Sequence, residues 1–270
     1  MSSFVQMLAL GSGSRGNAFA FHYRNSTILV DAGFSRRELC SRMLECNLAP
    51  AQLTAVLLTH EHDDHVKGCR VLCNELDIPL YATGITADRL RRQGGKLPDR
   101  VIEFEPGGSF DVGPFAISPF SVPHDAVDPV GFSIRAGGVR IGIATDLGRV
   151  NPMVANRLHN ADALILESNY DDQMLMASER QIQLKRRIRG QFGHMNNLDA
   201  AASLAGLLGP RTRAVYFAHV SSECNTYELA EHTGRSALEA LGRCDIHFAV
   251  VRQDRPLPPH TLHDTEEATE

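Results

Sequence analysis

The segment Thr59-His60-Glu61-His62-Asp63-Asp64-His65, closed by Gly68, constrains this chain more than any other. It follows directly on the apolar run Leu53-Thr54-Ala55-Val56-Leu57-Leu58, whose length and branched side chains predict a buried strand. The cluster therefore falls in the loop at that strand's C-terminal end, where a rigid element holds reacting groups still while the loop exposes them. Past Gly68, the spacing of Val71, Leu72 and Leu76 predicts a helix. Neutral imidazole nitrogens and carboxylate oxygens are ligands for Zn, Mn, Fe and Ni. His60 and His62, two apart on extended backbone, can turn to one ion; Asp64 and His65, beyond the bend, can face a second. The bland alternative is a polar loop whose histidines cap a helix. Imidazoles crowd this closely only with something to coordinate, so the segment is read as a metal site.

His60-x-His62-x-Asp64-His65 resembles the signature of the metallo-β-lactamase superfamily. The resemblance implies an α/β fold, a four-layer αβ/βα sandwich of two mixed β-sheets flanked by helices. It also implies hydrolysis with one or two metal ions.

Composition narrows the setting. A chain of 270 residues, 43% apolar and 22% charged, can bury a sizeable core. We expect one domain over residues 1–254 and a disordered tail over 255–270, where prolines and acids replace any apolar period. No apolar run approaches the roughly 18 residues needed to cross a bilayer, so no membrane partner is expected. Met1 to Gln6 lack the basic region and long apolar core of a signal peptide. Six scattered cysteines with no paired framework then read as reduced, cytoplasmic thiols. A net charge of −5 gives no whole-protein attraction to nucleic acid, so any such binding must be local.

The chain opens with a strand, Val5 to Leu10, and the turn Gly11-Ser12-Gly13-Ser14-Arg15-Gly16-Asn17. A further strand, Ala18 to Phe21, follows that turn, which argues against a dinucleotide or P-loop fold. Thr27-Ile28-Leu29-Val30 then runs into Asp31-Ala32-Gly33. The two patterns together resemble the YycJ-like branch of the superfamily. In that family an Asp at this place supports the metal loop by hydrogen bonds, the role the resemblance gives Asp31.

Later motifs extend the match in order. Ser121-Val122-Pro123-His124 resembles the third motif and implies that His124 joins His60 and His62 on the first metal. Gly131–Ile134 and Val139–Ala144 read as a hairpin around Gly137-Gly138, delivering Thr145-Asp146-Leu147-Gly148. Asp146 matches the fourth motif, where a carboxylate bridges two metals. The β-lactamases proper use Cys there, so Asp points to the phosphodiesterase and glyoxalase branches. The strand Ala214–Ala218 ends in His219, matching the fifth motif and completing a second site of Asp64, His65, Asp146 and His219.

Between them, Met174 to Arg189 is predicted helical and carries Lys185-Arg186-Arg187-Ile188-Arg189. Such a run is either a solvated face or a phosphate-contacting patch. Gly193-His194-Met195-Asn196-Asn197 follows and resembles the Gly-His segment of ribonuclease Z, whose His is proposed to protonate the leaving oxygen. Here Met195 replaces the family's usual Ser/Thr. The resemblance thus implies two divalent ions, Zn or Mn favoured over Fe or Ni, holding a water whose pKa falls toward about 7. Asp64 and His194 are the candidate catalytic residues, and Asn196, Lys185, Arg186 and Arg187 the candidate substrate contacts. YycJ-like proteins are associated with 5′-to-3′ exonuclease activity on DNA; the alternatives are a thioester or lactone hydrolase and a binding module with structural metals. Between Asp146 and His219 lie 72 residues, too few for the clamp domain of β-CASP ribonucleases. Nucleic acid must then be held by short loops, the basic run or a second subunit, and a homodimer is an arrangement raised by family analogy alone.

Overall fold

A computed structural model of the chain describes residues 4–94 and 97–263. The first half lays down β1 (Phe4–Gly11), β2 (Ala18–Tyr23), β3 (Ser26–Val30), helix α1 (Arg36–Glu45) and β4 (Leu53–Leu57). The short helix α2 (Asp63–Val66), α3 (Cys69–Leu76), β5 (Leu80–Thr83), α4 (Gly84–Gln93) and β6 (Val101–Phe104) complete it. The second half runs through β7 (Phe110–Val112), β8 (Phe115–Ser121), β9 (Val130–Ala136), β10 (Val139–Ala144), α5 (Pro152–Leu158) and β11 (Ala163–Glu167). Then come α6 (Asp172–Ala177), α7 (Ile182–Ile188), α8 (Asn197–Leu207), β12 (Ala214–Ala218), α9 (Tyr227–Ala240), β13 (His247–Val250) and β14 (His260–His263).

Among the described residues the strands form two seven-stranded sheets, ordered β14-β1-β2-β3-β4-β5-β6 and β13-β12-β11-β10-β9-β8-β7. Each is mixed: β3 to β6 run parallel on one side and β10 to β13 on the other, with antiparallel hairpins completing both. Strand alternation sorts the core into layers. In β1, Met7 and Ala9 point between the sheets while Leu8 and Leu10 face the helix layer. In β12, Ala214, Tyr216 and Ala218 point inward and Val215 and Phe217 outward. β12 runs parallel to both neighbours, buries both faces and reads as an unbroken apolar run, as a parallel strand covered on both sides must. Helices α1, α3 and α4 pack on the first sheet and α5 and α9 on the second, where α8 joins them through Ala200, Leu204 and Leu207, which gives the expected αβ/βα sandwich.

Two expectations need correction. Residues 174–189 are not one helix: Ser178, Glu179 and Arg180 break the path between α6 and α7. The carbonyls of Met176 and Ser178 are instead satisfied by Lys185 Nζ, each at 2.7 Å. Nor is the stretch from Arg255 featureless. Leu257 N donates to Ala9 O, and β14 pairs antiparallel with β1, Leu262 opposite Val5. Leu262, buried to 2% exposure in the inter-sheet core, and the partly buried Leu257 supply the apolar signal, and two residues five apart set no period that sequence reading can detect. Residues 264–270 of that expected tail lie outside the described residues.

Leu262→Ala should lower unfolding free energy by about 2–3 kcal/mol, the low end for a core leucine because the site is at a sheet edge. Urea denaturation with an unchanged slope checks it; an unaltered midpoint would mean that β14 does not anchor the sheet.

Candidate metal centre

The carboxyl ends of the parallel strands of both sheets meet along one edge of the sandwich, the usual place for a ligand crevice in open α/β sheets. Past β3 stands Asp31, past β4 the loop of His60 and His62, past β10 Asp146, past β12 His219. Three of these leave the strand in left-handed backbone: Asp31 at φ 60°, Asp146 at 55° and His219 at 57°. Positive φ is uncommon outside glycine and costs about 1–3 kcal/mol per residue; it turns each side chain sideways into the crevice instead of along its strand. Gly33 serves the same end by absence: a Cβ there would lie 1.6 Å from Asp64 O, so only glycine lets the two loops close together.

Among the described residues four overlapping groups of possible ligand atoms result, Asp146 with Glu167, His194 and His219, and His60 with His65 and Asp146, among them; the other two follow the expected sets. In one, His62 Nδ1 lies 2.9 Å from His60 Nε2 and 3.4 Å from His124 Nε2. In the other, His219 Nε2 lies 3.3 Å and His65 Nε2 3.6 Å from Asp64 Oδ2. Asp146 stands between them, Oδ2 at 3.0 Å from His65 Nε2 and Oδ1 at 3.7 Å from His124 Nε2. Within each group the ligand atoms lie within 4.8 Å of one another.

The outer ring nitrogens fix which inner ones are free. His65 Nδ1 lies 2.7 Å from Asp31 Oδ2, and His219 Nδ1 2.8 Å from Glu167 Oε1. Carboxylates only accept, so both Nδ1 atoms carry the proton. His124 Nδ1 likewise donates to Gly193 O at 3.0 Å. Thr59 Oγ1 donates to Asp31 and stands 3.0 Å from His60 Nδ1. Every Nε2 so oriented faces the crevice, as metal-binding imidazoles are set by their outer partners.

Electrostatics agree. Burial, the His65 charge and other imidazoles hold His60 well below its ordinary pKa, with Asp146 opposing only in part. Burial also opposes the charged forms of His65 and His219, but carboxylates outweigh it. Asp146, Asp31 and Asp64 carry His65 well above its ordinary value; Asp146, Asp64 and Glu167 bring His219 to about 10. Asp146 is held well below the carboxylate range: its burial opposes this, and His219 and His65 overcome it. Its Oδ2 is buried, with His65 Nε2 at 3.0 Å. A buried carboxylate set against imidazole nitrogens, and three further imidazole nitrogens in contact, are what a divalent cation would satisfy, so these residues fit a metal centre.

The crevice opens into a cavity of about 210 Å³, with Asp64, Asp146 and His219 at its base and His194, Arg180 and Arg187 among its walls. His194 sits at the mouth, its ring 5.1 Å from that of His124 and 5.3 Å from that of His219. Its Nδ1 lies 2.7 Å from Glu167 Oε1. Burial works against its charge, but Glu167 and Asp146 outweigh this and raise its pKa.

The expected substrate contacts divide. Arg187 lines the cavity and pairs with Asp125. Arg186 is exposed away from the cavity wall. Lys185 is buried, and its ammonium is consumed by the carbonyls ending α6. Asn196 caps α8, its Oδ1 accepting from Asp199 N at 2.7 Å, and does not reach the cavity. The Asn-x-x-Asp spacing is a helix-start signal, and it accounts for Asn196 without a substrate.

Sequence reasoning missed Glu167. This fully buried carboxylate accepts from His194 and His219 through Oε1 and from Leu147 N and Met195 N through Oε2. The signal was there: an acid ending the apolar run Ala163-Leu164-Ile165-Leu166 can be buried only if it is paired. Asn17 was also missed; its Nδ2 lies 3.0 Å from His65 Nε2 and 3.3 Å from Asp64 Oδ2.

Residues 26–220 match the Beta-lactamase superfamily domain. The sandwich and its His/Asp clusters thus define a metal-dependent hydrolase, and the chain belongs to the metallo-β-lactamase superfamily. Within it, the chain is 36% identical over 244 residues to exodeoxyribonuclease WalJ of Streptococcus pneumoniae, covering 89% of this chain and 90% of that one. It is 32% identical over 234 residues to exodeoxyribonuclease YycJ of Bacillus anthracis, covering 86% and 89%. In fold it is similar to the metallo-β-lactamase fold protein YhfI of Bacillus subtilis, with TM-score 0.72 at 17% identity over 95% of this chain and all of that one.

Glu167→Ala would strand two imidazoles and two backbone N–H groups. The metal-free protein should lose about 3–5 kcal/mol of unfolding free energy, with Glu167→Gln losing less because its amide oxygen still accepts. Chemical denaturation of both variants checks this; equal losses would mean that a neutral acceptor contributes nothing there and that the charge of Glu167 carries the whole effect.

Proposed function

We propose that the protein is a dinuclear phosphodiesterase that degrades DNA from a strand end, in the 5′-to-3′ sense. The observation that carries this is the placement of His194 in the wall of a cavity also lined by His62, Asp64, Asp146 and His219, members of the clusters that could hold metal. The names of the relatives, both exodeoxyribonucleases, support the choice of DNA. Six unpaired cysteines fit a reducing, cytoplasmic setting.

In this reading His60, His62 and His124 would hold one ion and Asp64, His65 and His219 the other, with the Asp146 carboxylate standing between the two groups. Zn and Mn are the favoured ions. Bound there, two divalent cations would supply Lewis-acid charge and water acidic enough to attack at neutral pH. The remaining work falls to the chain. Asp64, partly exposed at the cavity floor, accepts the proton of the attacking water. Arg180 and Arg187 stand on the wall toward the phosphate oxygens. His194 keeps Nδ1 on Glu167, which leaves Nε2 for the substrate. As the P–O bond to the departing oxygen breaks, the Nε2 proton passes to that oxygen. The His194 side chain is 23% exposed, so solvent can return the proton. A thiolate needs no such donor, which favours a phosphodiester over a thioester.

The direct test is metal-loaded protein on end-labelled single- and double-stranded DNA, with RNA, a thioester and a lactone alongside. Stepwise release of mononucleotides from one DNA end is expected; faster turnover of the thioester or lactone would replace this reading. His124→Ala and Asp146→Ala should each bind less metal by elemental analysis and lose hydrolysis while remaining folded, and full turnover in either would sink the ligand assignment. His194→Ala should slow DNA cleavage by about 10²–10⁴-fold, the usual worth of a general acid. An ester with a p-nitrophenol leaving group should slow far less; equal slowing would remove the proton-donor role.

A further inference from the structure

A second hollow opens beside the reaction cavity. It has a volume of about 660 Å³, against about 210 Å³ for the cavity, and Ser14 and Asp64 line both, so the two spaces adjoin. Its walls are the glycine-rich turn after β1 and the helical stretch after the metal loop. From the turn comes Arg15; from the helix come Lys67 and Arg70, with Asp63 beside them. Lys67 and Gly68 both have right-handed helical backbone, so the path from α2 into α3 is nearly unbroken. Lys67 and Arg70, three residues apart, therefore project from one face.

This concentration of positive charge is local. The whole chain carries −5, yet three exposed cations converge here on one further carboxylate, Asp63, apart from Asp64, which faces His65 and His219. No ion pair among the described residues occupies Arg15, Lys67 or Arg70, whereas Arg180 and Arg187 on the cavity wall are paired with Glu223 and Asp125. Like charges on neighbouring turns repel. An anion lying along the groove would relieve that repulsion. The cavity is smaller than the roughly 300–1,000 Å³ typical of small-molecule sites, so it has room for little more than the end of a polymer. The rest of the polymer must lie outside it.

We propose that this groove carries the sugar–phosphate backbone of a single DNA strand into the cavity, with Arg15, Lys67 and Arg70 each contacting a phosphate. The proposal rests on the DNA-degrading reading above and specifies where the strand lies: along the turn and α3, not along the basic run of α7. Sequence is not read there, because phosphate contacts position a strand and do not distinguish bases.

The test compares the metal-loaded wild type with Arg15→Ala/Lys67→Ala/Arg70→Ala on two substrates. One is a 5′-phosphorylated single strand of about 20 nucleotides across a salt series; the other is bis(p-nitrophenyl) phosphate, too small to reach the groove. Three phosphate contacts on a single strand predict a KM for the oligonucleotide raised at least about tenfold and a log–log salt slope reduced by about 2. Turnover of the small ester should hold within about twofold, and Arg89→Ala/Arg92→Ala, on exposed α4, should match the wild type on both substrates. An unchanged oligonucleotide KM and slope in the triple variant would overturn the groove alone. So would equal slowing of both substrates. A wild type that cleaves the small ester and leaves every DNA strand intact would overturn the DNA reading and the groove with it. Arg70→Glu, a single exposed change, should reproduce the trend if the triple variant is poorly folded; wild-type behaviour in it would count against the proposal.

Discussion

Asp31, Asp146 and Glu167 are almost wholly shut off from solvent, and the metal centre hangs on what they hold. Isolated charges cannot be buried at such cost. Here each one is answered by imidazole: Asp31 by His65, Glu167 by His219 and His194, Asp146 by contacts with His65 and His219. Breaking such a pair is more expensive than never having built it, which makes the arrangement rigid. The same carboxylates settle which nitrogen of His65 and His219 faces inward. Charge pairing and ligand orientation are thus one piece of chemistry.

The backbone accepts strain to make this work. Asp31, Asp146 and His219 all sit in left-handed conformation at strand ends. An ordinary strand exit would carry the side chain onward into the next loop. A turn through positive φ throws it across the sheet edge instead, toward the facing sheet. The cost is spread over a sandwich whose interior is filled by Phe19, Phe21, Phe115 and Phe132 and does not yield.

Sequence reading succeeded where chemistry is written locally. The apolar runs that became β4, β10 and β12 each end in a residue type able to bind metal, so the strands and the candidate residues were visible together. It failed where meaning depends on a distant partner. Glu167 looks like the polar end of a strand until two histidines from 27 and 52 positions away are brought to it. Lys185 and Arg187 sit in one basic run, yet one is spent inside on carbonyls and the other lines the cavity; only the break between α6 and α7 separates them. Asn196 was read for its neighbour His194 when its own spacing to Asp199 marked a helix cap. Leu262 shows the limit from the other side, one buried residue that closes a sheet edge without a pattern around it.

Asn17 lies against His65, and Ser12 Oγ accepts from His219 N across 207 positions of chain. The centre is therefore stitched from both ends of the sandwich. During synthesis on a ribosome, the His60–His65 loop emerges long before the strand that delivers His219. A nascent chain can present one half of the cradle only, which would grip a cation loosely. All of these side chains stand together only once the second sheet has docked on the first, so a chain that stalls or misfolds midway presents half of the crevice.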